Sequence, residues 1–259
     1  AANDALEKSW ELEHQLDTAR MGVALAQRRS NREGEIDWLE RVLSGLTAPA
    51  ERAPAFVQLA RLHLGVADAG LDVKQAPLYA PDQAEAALRQ ALTLVPREPA
   101  AEALLTSLLE RLERVGEIAG YYEDIAQQAP AADRVALLMQ AATLYKDRAG
   151  QPQAAAAALL AARASAPDDL QLTARVADVL TELGRRQDAA DFDAILLESN
   201  PAHPSFDRHR AFLAESHDFQ SLGQLLSLRA QQADTADAAS WWLQAADAFR
   251  QGGAAERAQ

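Results

Sequence analysis

Five histidines, His14, His63, His203, His209 and His217, are the residues best suited to metal or acid–base chemistry in this chain. Glu11 and His14 form a Glu-x-x-His step, which puts a carboxylate and an imidazole on one face of a helix. A di-iron carboxylate centre needs two such steps plus further glutamates, and none of the other four histidines has a carboxylate three places before it. His203, His209 and His217 gather around Glu215, but nothing there has the His-x-x-x-His spacing that aligns two ligands on a helix. Nucleophilic chemistry has no better footing: there is no cysteine and no Gly-x-Ser-x-Gly elbow. The glycines form neither Gly-x-Gly-x-x-Gly nor a Walker loop. Carboxylate pairs such as Asp168-Asp169 and Glu123-Asp124 occur, but among 38 acidic residues they read as solvated helix faces. These residues point to a chain that is not an enzyme and that carries neither metal nor cofactor.

The elements that would position any site follow from composition. Of 259 residues, 59 are alanine and 37 leucine, while only 5% are aromatic. Ala and Leu head the helix scale, so the fold class is all-α. No apolar run is long enough to span a bilayer, which argues against membrane insertion. A net charge of -13 argues against a nucleic-acid partner, because phosphate binding draws on Lys and Arg. The basic residues are 22 Arg and 3 Lys, a bias that with the alanine content fits a GC-rich, bacterial coding sequence. The lack of cysteine suits the cytoplasm, the expected compartment, and the periplasm equally. The chain starts at Ala1-Ala2-Asn3-Asp4 without Met and stops inside a new helical pattern at Gly252–Gln259, so it reads as a fragment of a longer array.

Two independent series reveal repetition. Pro49, Pro96, Pro130, Pro167 and Pro201 each follow an apolar helical run, at steps of 47, 34, 37 and 34. Ala24, Ala60, Thr106, Ala142, Ala177, Ala211 and Ala246 recur at steps of 36, 46, 36, 35, 34 and 35. Both series stretch at the same place, which marks an insertion at 66–80 in an array of period 34 to 37. Stripes at i, i+3, i+7, such as Ile36-Leu39-Leu43 and Phe219-Leu222-Leu226, divide each unit into two helices. Small residues at the crossings let the helix axes approach closely. The spacing predicts thirteen helices, the first over 3–29 and the last over 237–251, with Asp133, Asp168 or Asp169, and Asp218 near helix starts.

This pattern resembles the tetratricopeptide repeat, a 34-residue helical hairpin, in its divergent bacterial form. Val176, Ala177, Leu180, Gly184, Ala189 and Pro201 match it best, with Ala84, Leu88, Ala91 and Pro96, and Trp242, Ala246 and Phe249, in other units. Ile36, Ile118 and Gly223 stand where alanine is usual, and Thr235 where proline is. The resemblance implies one domain over 1–259, a right-handed α-solenoid of about six and a half stacked hairpins. It also implies a protein-interaction scaffold that holds a partner peptide or protein on its concave face.

In such an array the first helix of each hairpin lines the groove. Projection from the small-residue series selects Met21, Leu25, Arg28 and Arg29, then Val57 and Arg61, then Arg111. Ser107 and Glu110 stand beside Arg111; Met139, Thr143, Lys146 and Asp147, then Gln171, Asp178 and Glu182, then Arg208, Phe212, Asp247 and Arg250 complete the row. The groove is thus expected to be basic toward the N-terminus and acidic around Asp178 and Glu182. The family's carboxylate clamp for chaperone tails uses Lys, Asn and Arg at set groove places, where this chain has Met21, Leu25, Val57 and Arg61 and not the Lys/Asn pair, so that ligand is disfavoured. In the insertion, Leu71, Val73, Leu78 and Tyr79 either fold back on the array or reach a partner. Trp242 is expected to pack within its hairpin and Trp241 to face outward, where it offers a route to self-association. Two further readings stand beside the scaffold: a structural module positioning another domain of a longer chain, and a regulatory segment of an enzyme.

Overall fold

The helix preference of alanine and leucine is realised throughout. The computed structural model describes residues 2–66 and 73–253, and every regular element among them is helical: fourteen α-helices and a 3₁₀ turn at Val73–Gln75. None of the described helices is long and apolar enough to cross a membrane. The chain divides into two compact units, Ala1–Ile118 and Ala119–Gln259, with the boundary inside α7 (Val115–Gln128).

The first unit holds α1 (Ala2–Glu13), α2 (Leu16–Arg28), α3 (Arg32–Gly45), α4 (Pro49–Leu64), α5 (Pro81–Leu94) and α6 (Pro99–Arg111). Antiparallel neighbours pack as hairpins, α2 with α3 and α4 with α5 most closely. The single helix expected over 3–29 is two helices, because His14 adopts a φ of +49° and interrupts the hydrogen-bond ladder. Prolines 49, 81 and 99 open helices rather than merely ending them, since an N-terminal residue needs no N–H donor and a φ near −65° suits the first turn. Ala19, Gly22 and Ala26 form a buried small stripe on α2. Trp38 of α3, 1% exposed, lies so close over Gly22 that a β-carbon there would fall 2.1 Å from the indole.

The second unit contains α8 (Ala131–Asp147), α9 (Pro152–Ser165), α10 (Leu170–Glu182), α11 (Arg186–Ser199), α12 (Phe206–Glu215), α13 (Phe219–Gln232) and α14 (Thr235–Gln251). Here α8 pairs with α9 and α10 with α11, but the next close pair is α13 with α14, across the sequence repeat. Gly223 explains the shift: a β-carbon there would sit 2.6 Å from the Phe249 ring, so only glycine admits the phenyl group. Leu213, Leu225, Leu226, Ala245 and Ala248 close the core around that ring. Of the small-residue series, Ala60, Ala142 and Ala177 are buried at crossings, whereas Ala24 and Ala211 are exposed, and Gly22 and Gly223 make the tightest approaches.

The turns that follow α2, α6, α10 and α12 share one geometry. The amides of Asn31, Arg114, Arg185 and Asp218 donate to the carbonyls of Ala26, Leu109, Leu180 and Leu213 at 3.0, 2.8, 2.9 and 3.0 Å. The residue before each of those amides is left-handed: Ser30 at +50°, Glu113 at +58°, Gly184 at +73° and His217 at +60°. Only Gly184 adopts that conformation without a Cβ penalty. Asp169 and Asp218 cap α10 and α13 through Gln171, Leu172 and Ser221 amides, while Asp133 lies within the first turn of α8.

The tryptophans are placed the other way round from expectation. Trp241 packs edge-on against Phe206 at 5.5 Å, whereas Trp242 is 45% and Leu243 70% exposed. A one-residue step turns the helix by about 100°, which exchanges the inward and outward positions.

Candidate functional site

Each histidine is occupied by structure. His14 and His217 are left-handed break residues, and the first lies outside any helix, so Glu11 and His14 do not share a helical face. His203 Nδ1 sits 3.0 Å from the Ser205 hydroxyl at the start of α12. His63 and His209 are buried, and burial pushes both imidazoles below their ordinary value of 6.5. Among the described residues no three His, Asp or Glu side chains gather in a way that would hold a metal ion.

The first unit has a cleft of about 740 Å³ between the end of α2, the start of α3, α4 and the start of α6. Val57, buried, and Pro54 belong to α4 and line it together with Gln58 and Arg61. Glu35 accepts hydrogen bonds from the side-chain amides of Gln27 at 2.8 Å and Gln58 at 2.9 Å, which links three helices along one wall. Tyr79 forms the opposite edge, with the Arg32 guanidinium 3.9 Å from its ring centroid. The described part of the insertion, 73–80, packs back on the array and so reaches this position: Val73 and Ala76 are buried. The Leu78 and Ala80 amides donate to the carbonyls of Leu64 and His63. The Arg111 guanidinium donates to the carbonyls of Val73 and Ala76. Leu71 lies outside the described residues.

In the second unit the first-helix face is a string of ion pairs. A cleft of about 300 Å³ is lined by Met139, Thr143, Lys146, Asp178 and Glu182, with the Lys146 ammonium 2.8 Å from Glu182. A smaller one of about 190 Å³ lies against Phe212, Ala189 and Ala190. Beside it Arg208 grips Asp193 through two bonds of 2.8 and 2.6 Å and reaches Asp178 at 2.8 Å. Asp193 is 1% exposed, and its hydrogen bonds raise the guanidinium further above its ordinary range. Behind this face Tyr145 donates to Glu123 at 2.8 Å, and burial together with that carboxylate pushes the phenol up to about 12.

The residues selected from sequence are distributed unevenly over these surfaces. Arg61, Lys146, Asp178, Arg208 and Phe212 line clefts within their own units. Met21, Arg28 and Arg29 are exposed and Leu25 half-buried, and none of the four lines the first-unit cleft. Arg111 is a strut for the insertion. The acidic stretch at Asp178 and Glu182 is balanced by Arg208 and Lys146. Arg32 and Glu35 were not selected, because projection from first helices alone passes over the start of α3; Gln27 and Gln58 lie on first helices, beside the selected Arg28 and Val57. Tyr79 stood out only as an aromatic residue inside an unusually long connection.

No family model matches the chain, and no curated protein does. Solved structures similar to it include Pseudomonas aeruginosa PilF, at 17% identity over 82% of this chain and 90% of that one, TM-score 0.33. A thermophilic TPR protein of Thermus thermophilus is 20% identical over 77% of this chain and 100% of its own, TM-score 0.28. A Rap protein complexed with competence and sporulation factor is 15% identical over 94% and 71%, TM-score 0.31. The description of this chain as helical hairpins rests on its own crossings and turns.

Proposed function

We propose that this chain is a non-catalytic protein-interaction scaffold that receives a segment of a partner protein on the first-helix face of its hairpins. The observation that carries this reading is the first-unit cleft. Its volume lies in the range of ligand-binding clefts, and its lining combines apolar Val57 and Leu62 with a few fixed polar groups. Concave binding surfaces of this kind arise when helical repeats stack. Selection of a displayed random-peptide library on the intact chain tests it. Enrichment of a consensus that is lost on Gln58→Arg supports the reading; recovery of the same peptides from an unrelated helical bundle sinks it.

A second reading, association of the array with its own copies, is favoured by exposed Trp242 and Leu243 on α14. It requires a mass in sedimentation that rises with concentration and is reduced by Leu243→Ser. A single mass at all concentrations removes it.

A further inference from the structure

We infer that the Val73–Ala80 segment is the specificity wall of the first-unit cleft, and that Arg32 and Arg61 beside Tyr79 select an extended partner segment bearing carboxylates. This rests on the scaffold reading above and names the partner's chemistry.

The wall is built rather than incidental. Two backbone bonds to α4 and the Arg111 guanidinium hold the segment, with Val73 at 4% and Ala76 at 2% exposure. Tyr79 nonetheless leaves 58% of its surface open, an aromatic face on an anchored support. The Arg32 guanidinium stacks on that ring and gives one N–H to the Leu62 carbonyl at 3.5 Å, which leaves most of its five donors unused.

The charge balance of the cleft decides what would complete it. Both lining carboxylates are already engaged: Glu35 by two amides, and Glu98 by the Ala101 N–H at 2.6 Å as the cap of α6. Arg32 and Arg61 have no carboxylate partner among the described residues. Of the other arginines in this unit, Arg20, Arg41, Arg89, Arg97 and Arg114 lie within 4.0 Å of an Asp or Glu and Arg111 is bound to backbone carbonyls; Arg28, Arg29 and Arg52 also lack a carboxylate among the described residues, but none of these three lines the cleft. Two cleft-lining guanidiniums with no carboxylate partner among the described residues offer their free donors to carboxylates from outside. Glycine sets the position of the wall. Gly65 has a φ of +75°, and a β-carbon there would lie 2.8 Å from Pro77 and 2.9 Å from Tyr79. Gly65→Ala therefore displaces the wall without removing a charge.

The test uses the intact chain and fluorescent peptides that alternate leucine with glutamate, glutamine or lysine, alongside the library selection. The leucine–glutamate peptide is expected to bind best, and Arg61→Gln, which breaks no internal bond, to weaken it about tenfold. Tyr79→Ala and Gly65→Ala are expected to weaken it as well, and added salt to weaken the wild type. Equal binding of the three peptides, or an unchanged affinity in Arg61→Gln, overturns the inference. Library enrichment without acidic residues also overturns it while leaving the scaffold reading standing. Absence of any enrichment removes the scaffold reading itself.

Discussion

Replacing Gly22 with alanine takes a poor helix former out of the middle of α2, and propensity alone would stabilise the first unit by about 1 kcal/mol. The crossing with α3 reverses that sign. The new β-carbon would meet three indole atoms of Trp38 at 2.1, 2.5 and 2.6 Å, well inside van der Waals contact. Trp38 cannot swing aside: it is 1% exposed, its Nε1 donates to Asn3 at 3.4 Å, and Arg41 stacks on it at 4.2 Å. Overpacking of this kind costs about 1–3 kcal/mol, and with three close atoms the upper end applies, so the net loss is about 2 kcal/mol. Gly120→Ala provides the contrast. Its β-carbon finds only the Tyr145 hydroxyl, at 3.6 Å, so the propensity gain of about 0.5–1 kcal/mol survives in the second unit. Urea titrations followed by circular dichroism and tryptophan fluorescence read both, with the Gly22→Ala midpoint lower by about 1 M. Adding Trp38→Leu to Gly22→Ala should recover about 1–2 kcal/mol relative to additivity. A Gly22→Ala protein as stable as the wild type would refute the account of the crossing.

The second unit offers three further tests. Arg208→Met strands the buried Asp193 and should destabilise by about 3–5 kcal/mol; Asp193→Ala leaves the partly solvated Arg208 and should cost about 2–3 kcal/mol; Asp178→Ala, on an exposed group, should cost under about 0.5 kcal/mol. Chemical denaturation that ranks these in another order would count against the pair as the anchor of α12. His209 is held below 6.5 by burial, then raised by Asp193 and Asp191, lowered by Arg208 and raised by Asp218. The unfolded chain therefore takes up the proton first, so the contribution is complete above 6.5 and is lost as pH falls through the folded value. His209→Gln should flatten the loss of midpoint between about pH 7.5 and 5.5, and an unchanged slope would exclude this group as its source. His217→Gly relieves a left-handed non-glycine residue and should raise the unfolding midpoint by the equivalent of about 0.5–1 kcal/mol. A fall in that midpoint would mean that the imidazole contributes more than the turn costs.

The repeat was legible because helix crossings demand small side chains, as at Ala60, Ala142 and Ala177, although Ala24 and Ala211 of the same series lie exposed. What escaped was information carried by single backbone angles and by partners in the next hairpin. Nothing in the residue type of His14 announces a φ of +49°. Arg111 looks like any other outward-facing arginine until the insertion folds beneath it. The charges at Lys146, Asp178, Glu182 and Arg208 were visible, but their pairing joins residues 30 to 36 positions apart and depends on how successive first helices stack. The first-unit cleft was half legible: Val57 and Arg61 follow from the first-helix projection, while Arg32 and Glu35 come from the neighbouring helix.

The alternation of close pairs changes phase at α12. With α10 closed on α11 and α13 closed on α14, the short α12 joins the two pairs, and its Phe206 and Leu213 share the core of the second. A chain shortened at the sequence-repeat boundary, after Ala233, would separate Gly223 from Phe249 and open the tightest seam of the second unit. Severing the chain just ahead of Phe219 instead keeps the contact of Gly223 with Phe249 but strips Phe206 and Leu213 from the core around it. At this end of the array the close pair is therefore offset by one helix from the unit that the sequence repeats, whereas α2–α3, α4–α5, α8–α9 and α10–α11 keep its phase.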